Sequence, residues 1–164
     1  HPDARYDVLE VRHALEGQAA YYAALRATED DRQRIRDKFD HMVRLHSGDS
    51  DPVLAARADA DFHLSIAEAS HNIVLLHLMR SLFSVLQSSI EHNLDKLYTI
   101  PRVAEPLCSQ HQQLMQAVVD GAPEKARQAA QTHLVFVEES LQGLDEAQAR
   151  HERFLRQASL LSGT

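Results

Sequence analysis

The sequence predicts an all-α bundle, and three observations carry that reading. Chain breakers are scarce, with five glycines and five prolines among 164 residues otherwise rich in helix formers. Apolar residues recur at three- and four-residue spacings in segment after segment. The connections between those segments are short, which makes consecutive helices antiparallel neighbours. A chain of 164 residues builds one domain with a real core and is too short for two.

The spacing predicts a first helix from Tyr6 to Arg26, with Val8, Val11, Leu15, Ala19 and Tyr22 on one stripe. Thr28 followed three residues on by Asp31 resembles a capping box, and opens a second helix through Ile35, Phe39 and Met42 that Gly48 stops. Asp51-Pro52 reads as a cap followed by proline at the first helical position, starting a third helix. Ser70-His71-Asn72 marks a break. The fourth helix carries Ile73, Leu76, Met79, Phe83, Leu86 and Ile90 and fades by Tyr98, before Pro101. A fifth spans Glu105 to Asp120 and ends at Gly121. Pro123 starts the next, through Gly143, and a last amphipathic helix runs from Asp145 to Ser159. The stripe of that last helix, with Phe154, Leu155, Leu160 and Leu161, is expected to pack onto its own bundle, a dimer contact being the other use for it.

Composition narrows the function. Hydrophobic residues make up 44% and charged residues 25%, ordinary values for a globular protein. The formal charge of −7, with basic residues scattered among acids, argues against a nucleic-acid-binding surface, which needs clustered Lys and Arg to neutralise phosphates. No apolar run approaches a membrane span and no signal-peptide pattern opens the chain. Cys108 is the single cysteine, so an internal disulfide framework is excluded and a reducing, cytoplasmic setting is expected.

Histidine is the outlier, at eleven residues. Within "ADADFHLSIAEASHN", Asp59 and His63 stand one turn apart on a helix that otherwise reads as core, so both side chains point to the same spot. His111 lies in line with Leu107, Leu114 and Val118, and His133 in line with Ala126, Ala130 and Val137. Three helices thus each turn a metal-competent group inward, where polar groups are costly unless something satisfies them. A divalent metal would satisfy all four. Three imidazoles and one carboxylate suit zinc, nickel or manganese, whereas calcium and magnesium prefer oxygen ligands. The remaining histidines read as solvated or structural, His13 on the polar face of the first helix among them, and Asp61 faces about 200° away from Asp59. Arg12 sits at the edge of the first buried stripe. Two readings apply: a partner for Glu16 at i,i+4, or a guanidinium aimed inward to hold a carboxylate.

The stretches "YDVLEVRHALEGQAA", "DADFH", "EASHN", "SQHQQLMQAV" and "PEKARQAAQTHL" resemble the FCD ligand-binding domain of the FadR branch of the GntR superfamily of bacterial transcription regulators. The resemblance covers essentially the whole chain. It implies an antiparallel bundle of six or seven helices around a central metal and ligand cavity, with Asp59, His63, His111 and His133 as the metal ligands and Arg12 as an effector contact. Within the branch, "RHALEGQAAYYAALRATEDDRQRIR" and "ASHNIVLLHLMRSL" look most like regulators of pyruvate dehydrogenase and of lactate utilisation. The implied effector is a small 2-oxo or 2-hydroxy acid, the metal set favouring lactate or a similar hydroxy acid. The implied role is sensing rather than catalysis, in a homodimer. DNA binding is expected to lie in an N-terminal winged helix-turn-helix outside this single-domain chain.

Two other classes compete. A ferritin-like metalloenzyme needs further inward carboxylates, notably in Glu-x-x-His pairs, and a hydrolase needs a base beside the metal water; Glu68 lies at a helical angle away from Asp59 and His63. A structural metal without an organic ligand would resist chelators until the fold opened.

Overall fold

The computed structural model describes residues 4–48, 51–98 and 103–162, with the side chains of residues 4, 87–98 and 160–162 left out. Six helices follow one another: α1 (Ala4–Arg26), α2 (Glu29–His46), α3 (Pro52–Ala69), α4 (Ile73–Tyr98), α5 (Ala104–Val119) and α6 (Pro123–Ser162). There is no strand among the described residues. Pro101 and the side chains of Ile90, Leu160 and Leu161, each named above, lie outside the described residues.

The caps form as the sequence dictates. The Thr28 hydroxyl accepts the Asp31 backbone N–H, and Asp31 accepts the Thr28 N–H in return. Asp51 Oδ1 accepts the Val53 N–H ahead of Pro52. Gly121 closes α5 at φ 68°, a left-handed conformation that glycine adopts without the Cβ penalty. His71 takes φ 52° in the turn between α3 and α4. Its ring nitrogen Nε2 lies 2.6 Å from Asp31 Oδ2, tying that turn to the start of α2.

Asp31 therefore holds two elements at once. Burial alone would raise its carboxyl, but the Thr28 backbone N–H, the His71 ring and the Thr28 hydroxyl bring it down to about 2. Since the folded value lies below the ordinary 3.8, the unfolded chain takes up the proton first. The stabilisation is whole above that ordinary value and is lost as pH falls through the folded one. Urea midpoints measured between pH 5 and 2 should fall more steeply for the parent chain than for Asp31→Asn. Thr28→Ala should cost about 1 kcal/mol at neutral pH.

Three apolar clusters fill the bundle. The largest joins α1, α2, α3, α5 and α6 through Ile35, Phe39, Met42, Phe62, Ile66, Leu114 and Val118, with alanines of α1, α3, α5 and α6 between them. The second packs Leu75, Met79, Phe83 and Leu86 of α4 against α3 and Val8 of α1. The third joins Leu9, Val103, Leu107, Leu134, Val137 and Leu141. The small alanine side chains let helix backbones approach closely, and the polar site packs against Phe62 of the first cluster and Phe83 of the second.

Four expectations are corrected. The break at Gly143 does not occur, and the last two predicted helices form one helix of 40 residues. A Cβ at Gly143 would meet nothing within 4 Å. Glycine there costs only about 1 kcal/mol relative to alanine, and burial of Leu141 two residues earlier offsets it. Val11 is 45% exposed, and Leu9 takes its place in the core at 3%. Ile73 is 63% exposed, with Leu75 buried instead. Of the rest of each stripe, Val8 and Ala19 on α1 and Met79, Phe83 and Leu86 on α4 are buried as read; on α1 the polar Arg12 and Glu16 take buried positions beside it, and Ile73 is the first residue of its helix. The described end of α6 does not fold back onto the bundle: Phe154 and Leu155 are more than half exposed. At the start of that stretch α6 is braced by Tyr6, whose hydroxyl donates to Asp145 at 2.6 Å, and by Arg5, paired with the same carboxylate.

Candidate metal centre

Each donor arrives on a helix held by a separate part of the core. Asp59 and His63 lie on α3, which α1, α2 and α4 grip. His111 comes from the middle of α5 and His133 from α6, two helices packed on each other. All four side chains are buried. The Phe62 ring packs edge-on against both His63 and His111, and Phe83 stacks on His63.

One ring nitrogen from each of His63, His111 and His133 falls in a group whose atoms all lie within 4.8 Å of one another. The Nε2 atoms of His63 and His111 are 3.3 Å apart, close to the separation of about 3.4 Å that two ligands take around tetrahedral zinc. Asp59 Oδ1 stands 3.2 Å from His111 Nε2 and 3.9 Å from His63 Nε2. The four residues that sequence spacing singled out are thus brought to one place.

The tautomers are set from outside the group. Gln110 Oε1 accepts from His133 Nδ1 at 3.1 Å, and Glu16 Oε2 faces His63 Nδ1 at 3.2 Å. With the proton drawn to Nδ1 in both rings, the Nε2 lone pairs are left to the interior. Glu16 is held in turn by Arg12, whose Nε donates to Oε1 at 2.5 Å. The Arg12 guanidinium lies 5.5 Å from the Phe83 ring centre. The first reading of Arg12, as the i,i+4 partner of Glu16, is what the structure shows; its side chain is buried, and Nη2 has no hydrogen-bond partner.

Charge states follow from burial and neighbours. Burial would raise the Glu16 carboxyl, but Arg12 and then His63 pull it down to about 2. Burial likewise opposes ionisation of Asp59, and His111, His63 and Arg12 outweigh it, so its value falls below the ordinary one. Burial lowers His111 to about 3 against the pull of Asp59, and His133 is lowered by burial and by His111, His63 and Arg12. Near neutrality the interior holds ionised carboxylates beside these neutral imidazoles, the forms that bind a cation.

The donor set fits a divalent ion. Asp59 Oδ1 is buried without a hydrogen-bond partner, and an orphaned group of this kind is costly unless an ion or water meets it. Neutral nitrogen donors with one carboxylate match a borderline first-row metal. Three buried histidines here could hold one.

Three contributors were not singled out from sequence for these roles. Glu16 was legible only as the i,i+4 neighbour of Arg12. Gln110 and Phe83 gave no signal, because neither residue type marks a role beside a histidine without the fold. Glu10–His13 and Glu68–His71 have the Glu-x-x-His spacing but sit away from the centre. His13 lies 3.3 Å from Glu138, His71 pairs with Asp31, Glu68 pairs with Arg34 and Arg80, and Glu10 is exposed.

With that geometry in hand, the comparisons decide the family. The sequence profile of the FCD domain matches residues 7–136. The chain belongs to the FCD domain family. This FCD domain is 44% identical over 155 residues to the "Putative L-lactate dehydrogenase operon regulatory protein" of Escherichia coli K12, covering 94% of this chain and 58% of that protein. It is 32% identical over 146 residues to the Glc operon transcriptional activator of the same strain, covering 88% and 58%. It is 35% identical over 137 residues to the HTH-type transcriptional regulator LutR of Bacillus subtilis 168, covering 83% and 61%. Among solved structures, a GntR protein of Streptococcus agalactiae superposes with a TM-score of 0.65 at 26% identity, covering 82% of this chain and 57% of that one. A GntR-family regulator of Pseudomonas syringae shares the fold, at a TM-score of 0.70 and 22% identity over 89% and 59% of the two chains. The FCD domain thus spans about three fifths of the length of these relatives, which are transcription regulators and not enzymes by name. No helix among the described residues is long and apolar enough to cross a membrane.

Proposed function

We propose that this FCD domain is the effector-sensing part of a bacterial transcription regulator. In this reading it binds a small 2-hydroxy or 2-oxo acid, lactate or pyruvate foremost, at a divalent cation held by Asp59, His63, His111 and His133. Zinc is the first choice of ion, with nickel or manganese the others the donors suit. The observation that carries the reading is the meeting of the His63, His111 and His133 rings with the Asp59 carboxylate inside the bundle, where Asp59 Oδ1 is buried without a hydrogen-bond partner. The name of the L-lactate operon relative supports the choice of acid.

When bound, the cation supplies concentrated positive charge in a nearly dry interior, where a carboxylate is attracted far more strongly than in water. The residues of the chain do the rest. Gln110 and Glu16 hold the His133 and His63 rings in register. Arg12 has one edge committed to Glu16, while Nη2 remains to donate to the carboxylate of the acid. Binding regulates only if two packings of the bundle differ in affinity for the acid, since equal affinity shifts nothing. DNA contact is assigned to a part of the regulator outside these 164 residues, because the chain carries a charge of −7 with its basic residues scattered among acids. A homodimer is expected, since paired regulators match two-fold operators.

Calorimetry on zinc-loaded protein with L-lactate, D-lactate, pyruvate and glycolate tests this. At least one acid should give a saturable isotherm that disappears after the metal is removed. Silence for all four would overturn the sensing of these acids.

A further inference from the structure

Resting on the metal reading above, we infer that the cation reaches its buried ligands through a cavity between α2 and α5. Glu105, His46 and Cys108 serve there as successive capture groups. The donors themselves are at most 4% exposed, so an ion that arrives hydrated must shed its water somewhere on the way in. A cavity of about 300 Å³ lies between the last turns of α2 and the first turns of α5, and His111 is part of its lining. A second void bordering the centre, beside Glu16 and His63, measures about 10 Å³, room for no more than one water.

The lining of the larger cavity is graded. Glu105 is exposed, His46 and Cys108 are half-buried, and His111 is buried. The order runs from a hard carboxylate at the surface to a softer imidazole and thiol within. His46 Nδ1 donates to the Met42 carbonyl oxygen at 2.7 Å, which fixes the ring at the cavity wall. Cys108 stands three residues before His111 on α5, so the two side chains share a helix face. Exchanging waters for these groups one at a time spreads the desolvation of the ion over several steps, where a single step would cost several kcal/mol. Of the remaining lining, Met42, Val43 and Ala104 are apolar and the Ser47 hydroxyl is engaged with the Arg44 carbonyl, so the ion meets few competing resting places.

The test is kinetic. Zinc uptake by metal-free protein, and its transfer from loaded protein to a chromophoric chelator, are followed by stopped flow. Ala104→Trp fills the cavity and should slow uptake and release together, by roughly tenfold, with the dissociation constant unchanged within about twofold, since a path alters both rates equally. Glu105→Gln combined with Cys108→Ser should slow uptake by several-fold. Gln128→Trp, on the α5–α6 surface, should leave both rates unchanged. Alkylation of Cys108, the single cysteine, narrows the same cavity in the parent fold and covers the case in which Ala104→Trp misfolds. Unchanged rates in the alkylated or Trp-filled protein with affinity intact would overturn the route and leave the metal reading standing. Absence of zinc binding in the parent protein would overturn both.

Discussion

His111→Ala should strip the domain of its cation. Zinc retained after dialysis should fall from near one equivalent to a trace, with affinity lowered by more than 100-fold, beyond the 10- to 100-fold typical of losing a residue that only orients a ligand. The effect is large because His111 is central: its Nε2 is 3.3 Å from His63 Nε2 and 3.2 Å from Asp59 Oδ1. Gln110→Ala gives the contrast. It leaves every ligand in place and releases only the His133 Nδ1 contact, so its loss of affinity should fall within that 10- to 100-fold range. Metal content unchanged in His111→Ala would show that the ligand assignment is wrong. Thermal melts with and without chelator separate metal loss from fold loss, since an ion that binds only the folded state raises its stability by mass action.

Arg12→Ala should have the second-largest effect, and it should divide in two. The buried Glu16 carboxylate loses the guanidinium that pulls its value down most. Stability in urea should drop by about 3–5 kcal/mol, the usual result of leaving one charge of a buried pair alone. Arg12→Met combined with Glu16→Gln should recover most of that loss, because no orphaned charge remains and the amide oxygen can still face His63 Nδ1. Zinc content should be retained in both variants, while affinity for the acid falls by about 10- to 150-fold in each, the worth of a hydrogen bond to a charged group. Calorimetry with the acid, beside metal analysis of the same samples, separates the two roles. Unchanged acid affinity in the double variant would remove Arg12 from the effector site and leave its structural role.

How much of this was legible in the sequence depends on whether the signal was local. Thr28 with Asp31, and Asp51 with Pro52, are caps whose partners lie within three residues, and both form as read. Asp59 and His63 fix their common direction by helical geometry alone. His111 and His133 needed only the stripe of their own helix to be seen as inward. What stayed hidden required knowing which helix faces which. Glu16 meets His63 across 47 positions and Gln110 meets His133 across 23, distances over which spacing carries no information. Val11 was misplaced for a related reason: Arg12 and Glu16 occupy part of the buried face of α1, and apolar spacing does not weigh polar residues there. Gly143 misled because a glycine interrupts a helix only where nothing else holds it, and Leu141 does hold it.

The helix partners of the donors have a mechanical consequence. α3 is gripped by α2 and α4, α5 and α6 grip each other, and α1 touches both groups. The nitrogen of His63 therefore looks across a seam at those of His111 and His133. Gathering atoms spread over as much as 4.8 Å onto one centre closes a gap between two packed blocks, and packed blocks slide or rotate rather than compress. A cation bound as proposed would clasp the domain across its middle, and α1, which touches both groups, would register its tightening or loosening.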